Sequence, residues 1–389
     1  MKLVSDILTL RAPIGGLALV GIFWGGFAAL MPDIKAIAGA SDGQFGLIMM
    51  LSAAGSMIAM FMAPRLYQRA GPRTLTLVGA VLCVALLLPI WAINLMALSV
   101  VVFVMGASVG MMDITSNIRV SSIESHQGKS LMNLSHAMFS FSFGLTAIFV
   151  AYMREGGHGP VQILPILAGV GVVLVLLTLE APGKWQSPDP TPEGANATLS
   201  GVHLTVSLLA AVVLFSSFVG ENATEAWSAL HIERTLGAEV GHGSFGPAVL
   251  GLVMGATRFL GHLIGDRIGE RPLIIGSAVL GVIGALVIAA AWSPEIVLWG
   301  VAVVAVGMAV IVPSANTVLG RRVPGHLRPL ALSRAWMFGM TGFFVGPSVM
   351  GLVAEGFGLR VAYVVIALII AATIPAVVAI GRIPRVEGG

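Results

Sequence analysis

The sequence predicts an all-α membrane protein of twelve transmembrane helices arranged as two parallel six-helix repeats. Three observations predict it. Of the 389 residues, 57% are apolar and 10% charged, where a soluble domain carries about a quarter charged, and the mean hydropathy is +0.96. The apolar residues fall in runs of roughly 18 to 25, enough to cross a hydrocarbon layer of about 30 Å as helices. They are not the alternating segments of about ten residues from which a membrane barrel is built. Finally, "RAGPRTLTLVGAVL" (69–82) returns as "RIGERPLIIGSAVL" (267–280). Arg69 and Arg267, Gly71 and Gly269, Arg73 and Arg271, and Leu75 and Leu273 all match at one offset.

Punctuation by charged residues, Gly and Pro places the spans near 13–32, 44–63, 74–93, 97–118, 131–153 and 160–179, then 204–228, 244–264, 272–292, 296–318, 330–354 and 359–381. The first run follows Lys2 and Arg11 and is too long for the core of a cleaved signal, so it reads as a retained span. Between the sixth and seventh runs lies "APGKWQSPDPTPEGANATLSGVH" (181–203), rich in Pro, Gly, Ser and Thr, which reads as a linker. The expected organisation is therefore an N-terminal half (1–180), a cytoplasmic linker (181–203) and a C-terminal half (204–389). The repeated stretch joins spans 2 and 3 in one half and spans 8 and 9 in the other. Gly39-Ala40 and Gly237-Ala238 keep its offset, as do Gly144 and Gly342; Asn117 and Asn316 sit in corresponding spans. Parallel repeats of this kind suit alternating access, in which two similar halves rock about a site at the midplane.

Lys and Arg set the orientation. With the N-terminus inside, only Lys35, Arg154, Arg234 and Arg360 of the 21 basic residues fall outside. Both termini are then cytoplasmic, and the expected location is a bacterial inner membrane. This placement also accounts for the net charge of +3 and leaves no basic patch for nucleic acid.

Ionisable groups inside spans are costly and mark function. Asp113 in span 4 has Asn117 one turn later on the same face. His136 in span 5 shares a face with Phe139, Ser140 and Phe143. Glu221 and Glu225 form an i,i+4 pair in span 7. Two carboxylates on one face repel, so one of them should hold a proton. Asp113, Glu221, Glu225 and His136 are thus the proton-coupling candidates, Asp113 and Glu221 first among them. The structural readings are a hydrogen bond near the inner surface or a salt bridge to Arg119 or Arg334 for Asp113, a hydrogen bond to a neighbouring helix for His136, and, for Glu225, a place in the outer interface with water, Glu221 being the deeper of the pair. Arg258 and Arg334 are expected near the inner face, snorkelling there or pairing with Asp113 as an inner gate. Trp24, Asn117, Phe139, Phe143, Asn222, Trp227, Asn316 and Trp336 are candidates for a substrate cavity.

Several chemistries have no foothold. Cys83 is alone, so there is neither a disulfide framework nor a thiolate metal site. "HQGKS" (126–130) contains Gly-Lys-Ser, but Ile123 stands where a P-loop needs Gly, so no ATP site is encoded. The eight His are scattered, giving no metal spacing and no compact catalytic constellation. No cofactor and no enzymatic activity are expected, and transport must be driven by a gradient.

"GHLIGDRIGER" (261–271) resembles the signature loop of the major facilitator superfamily, with Asp266, Arg267, Gly269 and Arg271 matching and Gln68 standing at the acid's place in the first copy. The resemblance implies the fold of that superfamily and a cytoplasmic latch formed by Arg69, Gly71, Arg73, Asp266, Arg267, Gly269 and Arg271. Such a latch works physically because a carboxylate at a helix end can accept from a neighbouring helix N-terminus and pair with Arg. "PDIKAIAGASDGQFG" (32–46), "ENATEAWSA" (221–229) and "GFFVGPSVMGLVAE" (342–355) are similar to a fucose-permease-like branch, with Leu30 and Ala226 where that branch often has Arg and Asp. The expected function is secondary transport of a small organic solute, as proton-coupled uptake of a sugar-like or other neutral polar molecule by a monomer. The alternatives are proton antiport that expels amphiphilic compounds, and a non-transporting membrane sensor or scaffold.

Overall fold

The computed structural model describes residues 2–127, 131–180, 199, 201–264, 269–324 and 327–383. The expected linker, apart from 199 and 201–203, lies outside the described residues, as do Asp266 and Arg267. The described chain is almost wholly helical. Among the described residues ten stretches are long and apolar enough to cross a membrane, and two of them, Phe61–Trp91 and Leu330–Arg382, each hold parts of two predicted spans. The molecule is the twelve-helix, two-repeat membrane fold.

In the first half a short α1 (Lys2–Thr9) precedes α2 (Arg11–Ile37), α3 (Asp42–Ala70), α4 (Thr74–Ala85), α5 (Leu95–Gln127), α6 (Met132–Glu155) and α7 (Pro160–Leu177). The second half holds α8 (Gly201–Leu230), α9 (Phe245–Ile264), α10 (Glu270–Ala290), α11 (Pro294–Ala309) with α12 (Ile311–Gly320), and α13 (Arg328–Gly339), α14 (Thr341–Ala371) and α15 (Thr373–Arg382). Spans 10 to 12 are broken where the hydropathy saw single runs. Pro313 has no N–H to offer the carbonyl of Ala309, and the helix breaks at Val310 between them. Gly358, at φ 82°, separates spans 11 and 12 inside α14.

The repeat is visible in backbone geometry. Gly39 and Gly237 end the first span of each half at φ 64° and 68°, the left-handed conformation that closes a helix at a glycine. Ala40 N–H then reaches back to the Lys35 carbonyl at 3.2 Å, and Ala238 N–H to Ile232 at 3.3 Å. The second reach is one residue longer because α8 finishes in a π-helical turn, His231–Thr235.

Helices α2, α3, α6, α8, α9 and α14 form the seam between the halves, with α3 packed along α14 and α6 along α9. Close approach is possible because Gly144 of α6 and Gly251 of α9 cross: a methyl built on Gly251 would lie 2.7 Å from the Gly144 nitrogen.

Candidate functional site

Six of the ionisable and polar residues singled out in the sequence form one chain across the seam. Asn117 donates to the Asp113 carboxylate at 3.2 Å, one turn back on α5. The Asn117 carbonyl oxygen faces His136 Nε2 of α6 at 3.1 Å, so that nitrogen carries the proton in this contact. One turn on, Ser140 donates to the His136 backbone carbonyl at 3.1 Å. Arg258 of α9 crosses from the other half to donate to the Ser140 hydroxyl at 2.9 Å. The same guanidinium pairs with Glu221 of α8 at 3.3 Å. Glu221 and Glu225, one turn apart, both line a narrow cleft together with Phe139, Ser140, Phe143 and Met254.

This geometry corrects two expectations. Arg258 reaches the interior cleft and does not pair with Asp113; its partners are Glu221 and Ser140, because a long side chain from the middle of α9 meets α6 and α8 before it can reach α5. Glu221 is therefore compensated, and the less buried Glu225 is the carboxylate that makes no hydrogen bond or ion pair among the described residues. Among the described residues Asp113 has no cationic partner either. Arg119 is bound to Glu180 at 2.7 Å, and Arg334, half-buried on α13, forms no ion pair among the described residues.

The aromatic and amide candidates divide. Phe139 and Phe143 stand with ring centroids 6.3 Å apart at the cleft. In the second half Trp336 Nε1 donates to the Asn316 side-chain oxygen at 2.9 Å, so Asn117 and Asn316, corresponding residues of the repeat, each face a ring nitrogen from the following span. Trp227 is fully buried edge-on against Phe45 at 6.2 Å and lies away from the cleft. Trp24 packs edge-on against Phe23 and Phe27 of its own helix. Asn222 bonds within α8, to the Phe218 carbonyl.

Of the expected latch, Arg69 and Arg73 are exposed, Gly71 caps α3 at φ 55°, and Gly269 precedes α10. Arg271 lies over Gly381.

A second cluster, on the face opposite the chain termini, escaped the sequence reading. Arg154, at the end of α6, is 2% exposed. It pairs with Asp33 of its own half at 2.8 Å and with Glu233 of the other half at 2.5 Å. It also donates to Ser244, whose own hydroxyl donates to the Ala29 carbonyl at 2.9 Å. Asp42 pairs with Lys35 of its own half at 3.0 Å and with Arg234 of the other at 2.6 Å. Burial pushes the Asp42 carboxyl up, but the hydrogen bonds from Arg234 and Lys35 outweigh it and hold it below its ordinary value. Gly43 N–H donates to Glu355 at 2.8 Å. The π-helical turn aims Glu233 and Arg234, adjacent in sequence, at these two separate partners. The only sequence sign of this cluster was that Arg154, Lys35 and Arg234 are outside charges with acids close by.

The comparisons with known proteins agree with this architecture. The model of the Major Facilitator Superfamily matches residues 14–265 and 210–388. An uncharacterized MFS-type transporter of Yersinia pestis is 26% identical over 356 residues, covering 90% of each chain. The membrane protein MosC of Rhizobium meliloti is 27% identical over 370 residues, covering 90% of this chain and 85% of its own. Among solved structures, a D-xylose-proton symporter superposes with a TM-score of 0.76 at 15% identity over 99% of both chains. The nucleoside transporter NupG gives 0.69 at 14% identity over 97% of this chain and 100% of its own. With a family model spanning both halves and the same fold in these structures, the chain belongs to the Major Facilitator Superfamily.

Proposed function

We propose that this membrane transporter carries a small polar organic solute, sugar-like in size, into the cell together with a proton, by rocking its two halves about the cleft between α6, α8 and α9. The observation that carries the reading is the polar chain from Asp113 through Asn117, His136, Ser140 and Arg258 to Glu221, which passes from one half to the other. A group that binds a proton at one end of such a chain alters contacts that hold the halves together, and that is the physical requirement for coupling. Asp113 is the proton site in this scheme: it is half-buried in a span and lacks a cation among the described residues, so neutralising it removes an intramembrane charge. With both termini in the cytoplasm of a bacterial cell, the ion pairs around Arg154 and Asp42 form an outer gate, closed in this conformer. The likeness of residues 32–46, 221–229 and 342–355 to a fucose-permease-like branch favours uptake over export. The cytoplasmic latch and the monomeric state belong to the same proposal.

A thermal-shift screen of the purified protein at two pH values, against sugars, small metabolites and lipophilic cations, tests it. A ligand at about 100 times its Kd adds about 2.7 kcal/mol. Stabilisation by a polar solute, with a pH dependence lost in Asp113→Asn, is the expected outcome. Stabilisation by lipophilic cations alone would replace uptake with antiport export of amphiphilic compounds, whose apolar bodies the Phe139 and Phe143 faces would also suit. No response from any compound would favour the sensor or scaffold reading.

A further inference from the structure

We infer that the transported solute carries a protonated amine, held by Glu225 in the cleft that Phe139 and Phe143 also line. The inference rests on the transporter reading and sharpens its substrate class. Three charges meet at the cleft: Glu221, Glu225 and Arg258. Arg258 is spent on Glu221 and Ser140, at 3.3 and 2.9 Å, so an anionic solute finds no free cation there. Glu225 lines the same cleft without a hydrogen bond or an ion pair among the described residues.

An unpaired carboxylate in a largely apolar site needs a counter-charge. Three cations could supply it. A metal ion would require several oxygen ligands, and no group of three His, Cys, Asp or Glu comes together among the described residues. A proton would serve, but Asp113 is a second acid without a cation among the described residues, on the other side of the seam, and can carry the coupled proton by itself. An organic ammonium fits everything else the cleft offers. The carboxylate gives a charge-assisted hydrogen bond, the Phe139 and Phe143 rings in the lining suit a cation, and Met254 supplies a polarizable, adaptable wall. Ser140, which also lines the cleft, can accept from a hydroxyl group on the solute body. Ammonium at Glu225 and proton at Asp113 is also a charge assignment that lets both cross together.

The test uses matched pairs in which only the nitrogen changes: glucosamine against glucose, ethanolamine against ethylene glycol, and phenethylamine against phenethyl alcohol. Binding to the full-length protein in nanodiscs is measured by calorimetry. At least one amine should bind ten times or more tightly than its alcohol, and Glu225→Gln should erase that preference. Glu225→Asp keeps the charge and should keep the preference, which separates loss of the counter-charge from loss of fold; a monodisperse gel-filtration profile of each variant confirms that it is folded. Equal binding of amine and alcohol in every pair, a preference that survives Glu225→Gln, or no binding by any amine would overturn the inference. Equal binding together with a pH dependence that Asp113→Asn abolishes would leave the transporter reading standing, so the two failures are distinct.

Discussion

Arg258 shows how one side chain decides what its neighbours can do. It compensates Glu221 inside the protein, and the two side chains are 17% and 11% exposed. Removing one partner of a buried pair leaves an unbalanced charge, at a cost of about 3 kcal/mol, whereas removing both restores most of the loss. Arg258→Met should therefore lower the thermal midpoint markedly, and Arg258→Met with Glu221→Leu should recover most of it; melts of the three proteins check this. At this scale the sequence was informative about which residues matter and silent about how they pair. Asp113, Asn117, His136, Glu221, Glu225 and Arg258 are conspicuous because polar groups in spans are costly. Which acid Arg258 meets depends on the crossing of α6 and α9, and no local pattern encodes that. Trp227 misled for a related reason, since an aromatic beside Glu225 in sequence points to the opposite side of α8 and packs on Phe45.

At the scale of elements, the repeat was legible because each copy needs the same punctuation. Gly39 and Gly237 adopt the same left-handed conformation, and a methyl added at either would meet nothing within 4 Å. The cost of an Ala there is thus purely conformational, about 1 kcal/mol. Gly39→Ala and Gly237→Ala should lower the melting temperature by similar amounts, and a clearly unequal pair of shifts would show that the two helix ends are not equivalent. Gly251 differs, because its added methyl would strike the α6 backbone. Gly251→Val should cost more, by about 1–3 kcal/mol for overpacking, and should weaken association of the halves; melts compared with the Gly39 variant check the order. Helix ends were less legible. Hydropathy placed the second span at 44–63, yet α3 runs from Asp42 to Ala70, because its last two turns carry Arg65 and Arg69 where the apolar signal has already stopped. The π-helical turn had no sequence signature at all.

On the scale of the whole molecule, the polar contacts between the halves are concentrated, among the described residues, on the face away from the termini, with Arg258 and Ser140 the deepest of them. That face can be clamped. An ideal Cβ on Gly43 lies 3.7 Å from the Glu355 Cβ, close to the mean separation of about 3.8 Å in a disulfide. Gly43→Cys with Glu355→Cys should cross-link on mild oxidation and hold the halves together. Buried Cys83 offers no competing partner. Solute counterflow in proteoliposomes should stop on oxidation and return with reductant; counterflow that continues in the fully cross-linked protein would show that this face does not part.

The pairing at that face has a further consequence for how it parts. Arg154 holds Asp33 within its own half as well as Glu233 across the seam, and Asp42 holds Lys35 as well as Arg234. When the halves separate, each of these two buried ions keeps a companion that travels with it. Glu233 and Arg234 leave together as neighbours of opposite sign. Neither half is left holding a bare buried charge, so the junction behaves like a releasable catch, firm while engaged and cheap to undo. Speed of cycling and tightness of closure, which usually oppose each other, can then be set separately.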